Sequence, residues 1–430
     1  MNIIIAIFSF LIFLKLLLFW LWLWQLMEYH LGRFLAHFEA RAFRKIIASI
    51  WWFKYPKFTK KILTILFAAV FLAILMLFEG LYYAIFLLII LVPLIFQLPT
   101  VIWRKGFLKK AKFKRESFKN LLVIGITGSY GKTSTKEFLY AILAEKFGQE
   151  KVLKTKEHQN SEVGIARCIL NDLKPEHEIF ICEMGAYNQG GIKLLCDIAK
   201  PKIGILTGIN EQHMATFGSQ ENIIKAKYEL IGSLPEDGVA FFNAKNKYCV
   251  ELYNKAVIKK FLYGEAATFF GEENILGALA VARELGAMVE AKPQSNWLQA
   301  KRGMNGLNII DSTYSANPTG VIAHLEYLKI LPGKKVIVMP CLIELGKASK
   351  EVHRRIGAKI AEVCDLAIIT TGDRFKEIKE AAEVGLRSME VRLLEDPQDI
   401  FDKIKSATQP GDVVLLESHV PNLLIKQLLI

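Results

Sequence analysis

The sequence predicts an α/β protein in which N-terminal apolar helices precede two parallel-sheet units, and three observations carry that prediction. Leu, Ile and Phe dominate the first hundred positions. From Leu121 onward an apolar strand, a turn and an amphipathic helix alternate almost to the C-terminus. A glycine-containing turn at 128–134 lies between one such strand and its helix. A length of 430 residues suggests about three domains, placed at 1–115, 116–300 and 301–430. Hydrophobic residues make up 52% and the mean hydropathy is +0.29, which excludes disorder, collagen and a secreted disulfide scaffold.

The first unit is expected to hold three membrane spans. Ile3 to Leu26 is apolar except for Ser9, Lys15 and Gln25, and exceeds the roughly 20 residues that a spanning helix needs. A cleaved signal peptide is disfavoured, because Lys15 falls inside the run and no small-x-small site follows. Residues 62–78 and 81–102 form a second apolar pair around Glu79 and Gly80. The net charge of +13 is concentrated beside these runs: 28–61 carries eight Lys/Arg against two acids, and 103–119 eight against one. Such stretches face anionic lipid on the cytoplasmic side rather than nucleic acid, and place the rest of the chain in the cytoplasm at a multi-pass inner membrane. Leu31, Phe34, Leu35 and Phe38 recur at helical spacing beside Arg33, Arg41, Arg44 and Lys45, with Trp51 and Trp52 following, which predicts an interfacial helix. Lys15 is given no role. The six cysteines show no C-x-x-C pair and read as reduced thiols.

The second unit opens with the strand Leu121 to Thr127, the turn Gly128-Ser129-Tyr130-Gly131-Lys132-Thr133-Ser134 and a helix to about Phe147. A loop that binds phosphate needs glycines so that backbone N–H groups can close on the anion. It also needs a lysine for the terminal phosphates and a hydroxyl for Mg²⁺, all at a helix N-terminus. Gly131, Lys132 and Thr133 supply these, although Ile126 stands where the strict G-x-x-x-x-G-K-[ST] pattern has glycine. From about Lys301 apolar runs at 307–311, 335–339, 366–370 and 412–416 define a second α/β unit without a G-x-G-x-x-G turn.

The Thr-Gly-x-x-Gly-Lys-Thr form resembles the Mur ligases, ATP-dependent amide ligases of peptidoglycan precursor synthesis, and further motifs follow in that family's order. Glu183-Met184-Gly185 looks like its acidic Mg²⁺ ligand, and His213, in Asn210-Glu211-Gln212-His213, like the histidine of a second Mg²⁺ site. Lys227 matches a lysine that is carbamylated, and Asn274 an adenine-contacting asparagine. Asp311-Ser-Thr-Tyr314-Ser-Ala-Asn317-Pro318 is similar to a segment of the D-alanyl-D-alanine-adding member, and Glu344-Leu345-Gly346 continues the likeness. The resemblance implies ATP held by Gly128, Ser129, Gly131, Lys132, Thr133, Ser134, Asn274, Asp311, Tyr314 and Asn317. It implies metal held by Thr133, Glu183, His213 and carbamylated Lys227, with Lys132, Lys227 and His213 in catalytic roles. It further implies a Rossmann-like C-terminal domain that closes over ATP.

Each residue also has a plainer reading. His213 alone would be a loop or core histidine and Lys227, beside Lys225, a solvated helix face. Asp311, Tyr314 and Asn317 would form a strand-to-helix turn with an Asx cap, and His353 on the Ser349 to Val363 helix reads as structural. The sequence departs from the family at Lys245, where an acid is common, and at Glu417-Ser418-His419, where the family has Lys-Gly-Ser. The three spans stand in place of the family's soluble UDP-binding domain. The expected reaction activates a muramyl-peptide carboxylate, UDP- or lipid-linked, as an acyl phosphate and joins it to D-Ala-D-Ala, beside the bilayer and in contact with other cell-wall enzymes. A membrane-anchored poly-γ-glutamate synthase and a catalytically silent ATP-binding scaffold are the rivals.

Overall fold

The computed structural model describes residues 2–26, 46–157, 159–269, 271–287, 300–313, 317–384 and 389–429. The expected interfacial helix at 31–45 and Tyr314 lie outside them. Two compact units are present, Met1–Lys109 and Lys110–Ile430.

In the first unit, α1 spans Asn2–Leu26 and α2 spans Lys60–Phe78, both long and apolar enough to cross a membrane. Phe13, Leu17 and Leu21 of α1 pack against Ile62, Ile65 and Ala69 of α2. Helix α2 ends where Gly80 adopts φ +74: Leu81 N–H donates to Met76 O and Gly80 N–H to Leu77 O, the Schellman arrangement that satisfies the last carbonyls. The third expected span, 81–102, is not a single helix. A 3₁₀ turn at Ala84–Leu87 leads into α3, Leu88–Ile95, and the chain leaves the helix at Phe96 before α4, Gln97–Ser117. Pro93 inside α3 lacks the N–H that would bond four residues back, so this helix stays short. Lys15 donates from Nζ to Trp51 O at 3.3 Å.

The second unit contains two sheets. The first comprises β1 (Leu122–Thr127), β2 (Val152–Lys154), β3 (Ile179–Glu183), β4 (Ile203–Leu206), β5 (Val239–Asn243) and β6 (Lys259–Tyr263), parallel throughout in the order β2-β3-β1-β4-β5-β6. Strands β1, β3, β4 and β5 are near-continuous apolar runs because both faces are covered. Leu139, Ile142 and Leu143 of α5 (Lys132–Phe147) pack with Ile124, Ile126, Ile181 and Ile205 of the sheet.

The intervening helices are α6 (Glu162–Asn171), α7 (Gly191–Ala199), α8 (Met214–Phe217), α9 (Gln220–Gly232), α10 (Lys247–Lys255) and α11 (Glu272–Glu284). The short β7 (Ala300–Arg302) then lies antiparallel to β8 (Asn308–Ser312) at the edge of the second sheet. This sheet runs β11-β10-β9-β12-β8-β7 with β9 (Lys335–Met339), β10 (Leu366–Ile369), β11 (Glu390–Leu393) and β12 (Val413–Glu417). Ile337 and Met339 face Val321 and Leu325 of α12 (Pro318–Lys329) and Val352 and Ile356 of α13 (Ser349–Val363). Val336 and Val338 face the opposite side, against Ile400, Ile404 and Leu424. Alternate residues of one strand thus fill two cores, as a sheet with helices on both faces requires.

Candidate active site

The first sheet brings the C-terminal ends of β1, β3 and β4 together, the place where parallel α/β sheets bind ligands. After β1 the chain turns through Gly128 and Gly131, at φ +156 and +78. A Cβ on Gly128 would stand 2.1 Å from Thr207 Oγ1, and one on Gly131 2.3 Å from Asn274 Oδ1, so neither position admits a side chain. The turn is braced from β4: Thr207 Oγ1 donates to Tyr130 O at 2.5 Å, and Ser129 N–H donates to Gly208 O at 2.6 Å. Lys132 opens α5 and its Nζ folds back onto Gly128 O and Ser129 O at 2.8 and 3.0 Å. The turn therefore holds a cation above backbone amides at a helix N-terminus, a cradle for polyphosphate. Ser134 is exposed in the first turn of α5.

Glu183, at the end of β3, is buried and held from four sides. Thr133 Oγ1 donates to it at 3.0 Å, Lys136 Nζ at 3.1 Å and Asn160 Nδ2 at 3.1 Å, while its own N–H donates to Thr155 Oγ1 at 3.0 Å. Burial alone would raise its pKa, but Lys132, Lys136 and Asn160 outweigh this and hold it below the ordinary carboxylate value. Its carboxylate is thus ionised beside the Thr133 hydroxyl.

His213 caps α8 at φ +65, a left-handed conformation that a non-glycine residue adopts at a cost of about 1–2 kcal/mol. Its Nδ1 lies 2.5 Å from Glu344 Oε2, and the Tyr187 ring meets it edge-on at 4.8 Å. Burial lowers the His213 pKa, while the Glu344 contact opposes that shift. Lys227 is not on a solvated face: it lies in the apolar stripe of α9 with Ile223, Leu230 and Ile231, and is 3% exposed. Desolvation, followed by the charge of Lys132, brings its pKa down to about 7. Among the described residues its Nζ rests 5.7 Å from the Phe217 ring centroid and forms no ion pair.

Asn274 is buried, and its Oδ1 accepts from Thr135 Oγ1 at 3.3 Å beside Gly131, so its amide braces the phosphate turn. Asp311 is exposed and accepts from the Thr313 N–H and hydroxyl. Asn317 caps α12 through Gly320 N–H and also accepts from Asn210 Nδ2 at 2.9 Å. That bond links the two sheets, as do Arg355–Glu211 at 3.2 Å and Ala215 N–H to Glu344 O at 3.0 Å. A cavity of about 880 Å³ lies beside the turn, lined by Tyr130, Lys245, Asn246 and Phe269 from the first sheet domain and Thr319 and Tyr327 from the second. Its size suits a nucleoside.

His353 is fully buried. Its Nε2 accepts from Leu342 N–H and its Nδ1 pairs with Ser349 O, a structural arrangement. Glu417 is also fully buried; its Oε2 lies 2.6 Å from His324 Nδ1, and its Oε1 has no hydrogen-bond partner among the described residues. All six cysteines are free and buried.

Among the described residues no three His, Cys, Asp or Glu side chains form a metal cluster. A hard cation held by a hydroxyl, a carboxylate, polyphosphate and water needs no such cluster, and Thr133 and ionised Glu183 are oxygen donors of the right kind. Sequence reading had not singled out Lys136 or Asn160. The Lys136 signal was its spacing, four residues after Lys132 and three before Leu139, within the apolar stripe of α5.

The Mur ligase middle domain family matches residues 126–282, and the Mur ligase, glutamate ligase domain family matches 297–419, together well over half of the chain. The UDP-N-acetylmuramoyl-tripeptide--D-alanyl-D-alanine ligase of Bacillus subtilis is 29% identical over 341 residues, covering 69% of this chain and 72% of that protein. Its counterpart from Synechocystis sp. is 28% identical over 343 residues, covering 69% and 71%. Among solved structures, MurF from Acinetobacter baumannii superposes with a TM-score of 0.64 at 25% identity, covering 73% of this chain and 77% of that one. MurF ligase from Thermotoga maritima in complex with ADP gives 0.60 at 26%, covering 75% and 83%.

Proposed function

The chain belongs to the Mur ligase family of ATP-dependent, ADP-forming ligases, and from that premise we propose that it joins a muramyl-peptide carboxylate to D-Ala-D-Ala at the cytoplasmic face of a membrane. The observation that carries this reading is the buried, ionised Glu183 fixed against Thr133 at the mouth of the phosphate turn.

The chemistry follows from bringing two anions together. The substrate carboxylate attacks the γ-phosphorus of ATP, the bond to the β-bridging oxygen breaks, and ADP leaves an acyl phosphate. The amine then attacks the acyl carbon, phosphate departs with the bonding pair, and loss of a proton leaves the amide. Lys132, released from its two carbonyls, offers its ammonium to the polyphosphate, and the amides of the turn line the same anion. Thr133 and Glu183 would hold one Mg²⁺, and His213 with carbamylated Lys227 a second. Bound Mg²⁺ supplies charge neutralisation between the carboxylate and the phosphates. Carbamylation requires a neutral amine. A lysine of pKa about 7 is half neutral at pH 7, whereas a solvated lysine is neutral about 0.04% of the time. Asn246 and Tyr130 line the cavity offered to the nucleoside.

The membrane reading is supported by α1 and α2, both long and apolar enough to cross a membrane, and by the basic stretches beside the apolar runs. The acceptor then arrives as a lipid-linked muramyl peptide. The test supplies detergent-solubilised protein with ATP, Mg²⁺ and D-Ala-D-Ala, together with either the UDP-linked or the lipid-linked tripeptide, and follows the amide product by mass spectrometry. Equal rates on both acceptors would contradict the lipid-linked assignment. Product from glutamate instead of D-Ala-D-Ala would identify a polymer synthase, and ATP binding without product a scaffold.

A further inference from the structure

We propose that Glu344 is a positioning residue for His213, supplied by the C-terminal sheet domain, so that the metal-facing nitrogen of His213 is set only when the two sheet domains are engaged; the inference rests on the ligase reading above. Glu344 lies in the segment after β9, and its side chain is almost fully buried, at 5% exposure. An ionised carboxylate only accepts hydrogen bonds, so the 2.5 Å contact makes His213 Nδ1 the protonated nitrogen and leaves the lone pair on Nε2. A carboxylate behind a histidine, fixing its tautomer and ring plane, is how proteins orient imidazole ligands toward metals.

The contact is over-determined. Glu344 and His213 both hold left-handed backbone, at φ +62 and +65, facing each other across the two domains. Ala215 N–H donates to Glu344 O at 3.0 Å, and a Cβ on Gly346 would approach the Ala215 backbone to 3.1 Å, which leaves little slack. Tyr187 closes the other side of the ring. Helix α8, which begins after His213, ends at Phe217, the ring against which Lys227 rests. One turn of helix therefore touches the C-terminal domain at Ala215 and Lys227 at Phe217. Separating the domains removes the acceptor that fixes the tautomer, so closure and completion of the metal-binding set become one event.

The experiment uses the full chain in detergent, with Glu344→Ala, Glu344→Gln, His213→Ala and the Glu344→Ala/His213→Ala double variant. Three quantities are measured: the Mg²⁺ concentration for half-maximal phosphate release, KM for ATP at saturating Mg²⁺, and, without turnover, backbone hydrogen exchange across 213–217 with ADP and Mg²⁺. Glu344→Ala should raise the Mg²⁺ requirement about 10-fold or more, leave KM for ATP nearly unchanged and lose protection at Ala215. Glu344→Gln, which keeps an acceptor oxygen, should recover most of both effects. The double variant should need no more Mg²⁺ than His213→Ala alone. If His213→Ala shifts the Mg²⁺ requirement and Glu344→Ala does not, this inference is overturned while the ligase reading stands. If His213→Ala leaves it unchanged, the metal role of His213 falls, and this inference with it. Equal losses of kcat in both Glu344 variants at an unchanged Mg²⁺ requirement would show a merely structural contact.

Discussion

At the scale of single residues the site is a small set of buried charges, each held in one state by its neighbours. With Lys132 and Asn160, Lys136 keeps Glu183 ionised in a desolvated position, and among the described residues it is the one cation in direct contact with the carboxylate. Because the folded pKa of Glu183 is depressed, it adds stability above its unfolded pKa, and that contribution is lost as pH falls through the folded value. Lys136→Met should therefore move the acid limb of the pH–activity profile upward and weaken folding by about 3 kcal/mol, read from urea midpoints, since it strands a buried carboxylate. An unchanged acid limb would show that Lys136 does not set the charge of Glu183. Lys227 gives the same slope in a higher pH window. Its folded pKa of about 7 lies below the unfolded value, so the folded state binds fewer protons between the two, and stability rises with pH from about 7 toward 10. Lys227→Met should stabilise the protein at pH 7 by roughly 2–4 kcal/mol, yet abolish turnover. Lys227→Ala should regain activity with added short-chain carboxylates, and failure of that rescue would count against the carbamate. The burial of Lys227 was legible in the spacing of Ile223, Leu230 and Ile231, but the adjacent Lys225, which is exposed, suggested a solvated face instead.

At the scale of elements, strands and caps were readable because their causes are local. The strand Leu122–Thr127, its turn and α5 emerge from an apolar run, two glycines and a helical stretch. Gly131→Ala places a methyl group against Asn274 at φ +78. It should lower ATP affinity at least 10-fold and reduce stability by about 1–3 kcal/mol, measured by nucleotide titration and thermal unfolding; unaltered nucleotide binding would refute the account of the turn. The Asx cap at Asn317 was the plainer alternative to the nucleotide contact expected there, and its second bond, to Asn210 in the other sheet domain, had no signal in the sequence. Asn317→Ala should cost about 1 kcal/mol through the cap, whereas Asn317→Asp should retain most of that stability. The span expected over 81–102 failed as a single helix, because composition and length weigh every apolar residue alike while Pro93 removes a backbone donor at one particular place.

At the scale of the whole molecule, contacts between distant segments were the part that one-dimensional reading could not supply. No periodicity in the sequence relates Glu344 to His213, or Arg355 to Glu211, residues 131 and 144 positions apart. The motifs nonetheless occur in the order that lets two sheets share one cleft, and that order made the family legible over roughly two thirds of the chain. What the cleft does with its two anionic partners is the central claim. It is tested most directly by phosphate release from the solubilised full chain with ATP, Mg²⁺ and a lipid-linked muramyl tripeptide, with and without D-Ala-D-Ala, alongside Lys132→Ala. The account predicts release that requires the dipeptide, matches amide formed one for one and disappears in the variant. Release that is indifferent to the dipeptide, or that survives Lys132→Ala, would contradict it.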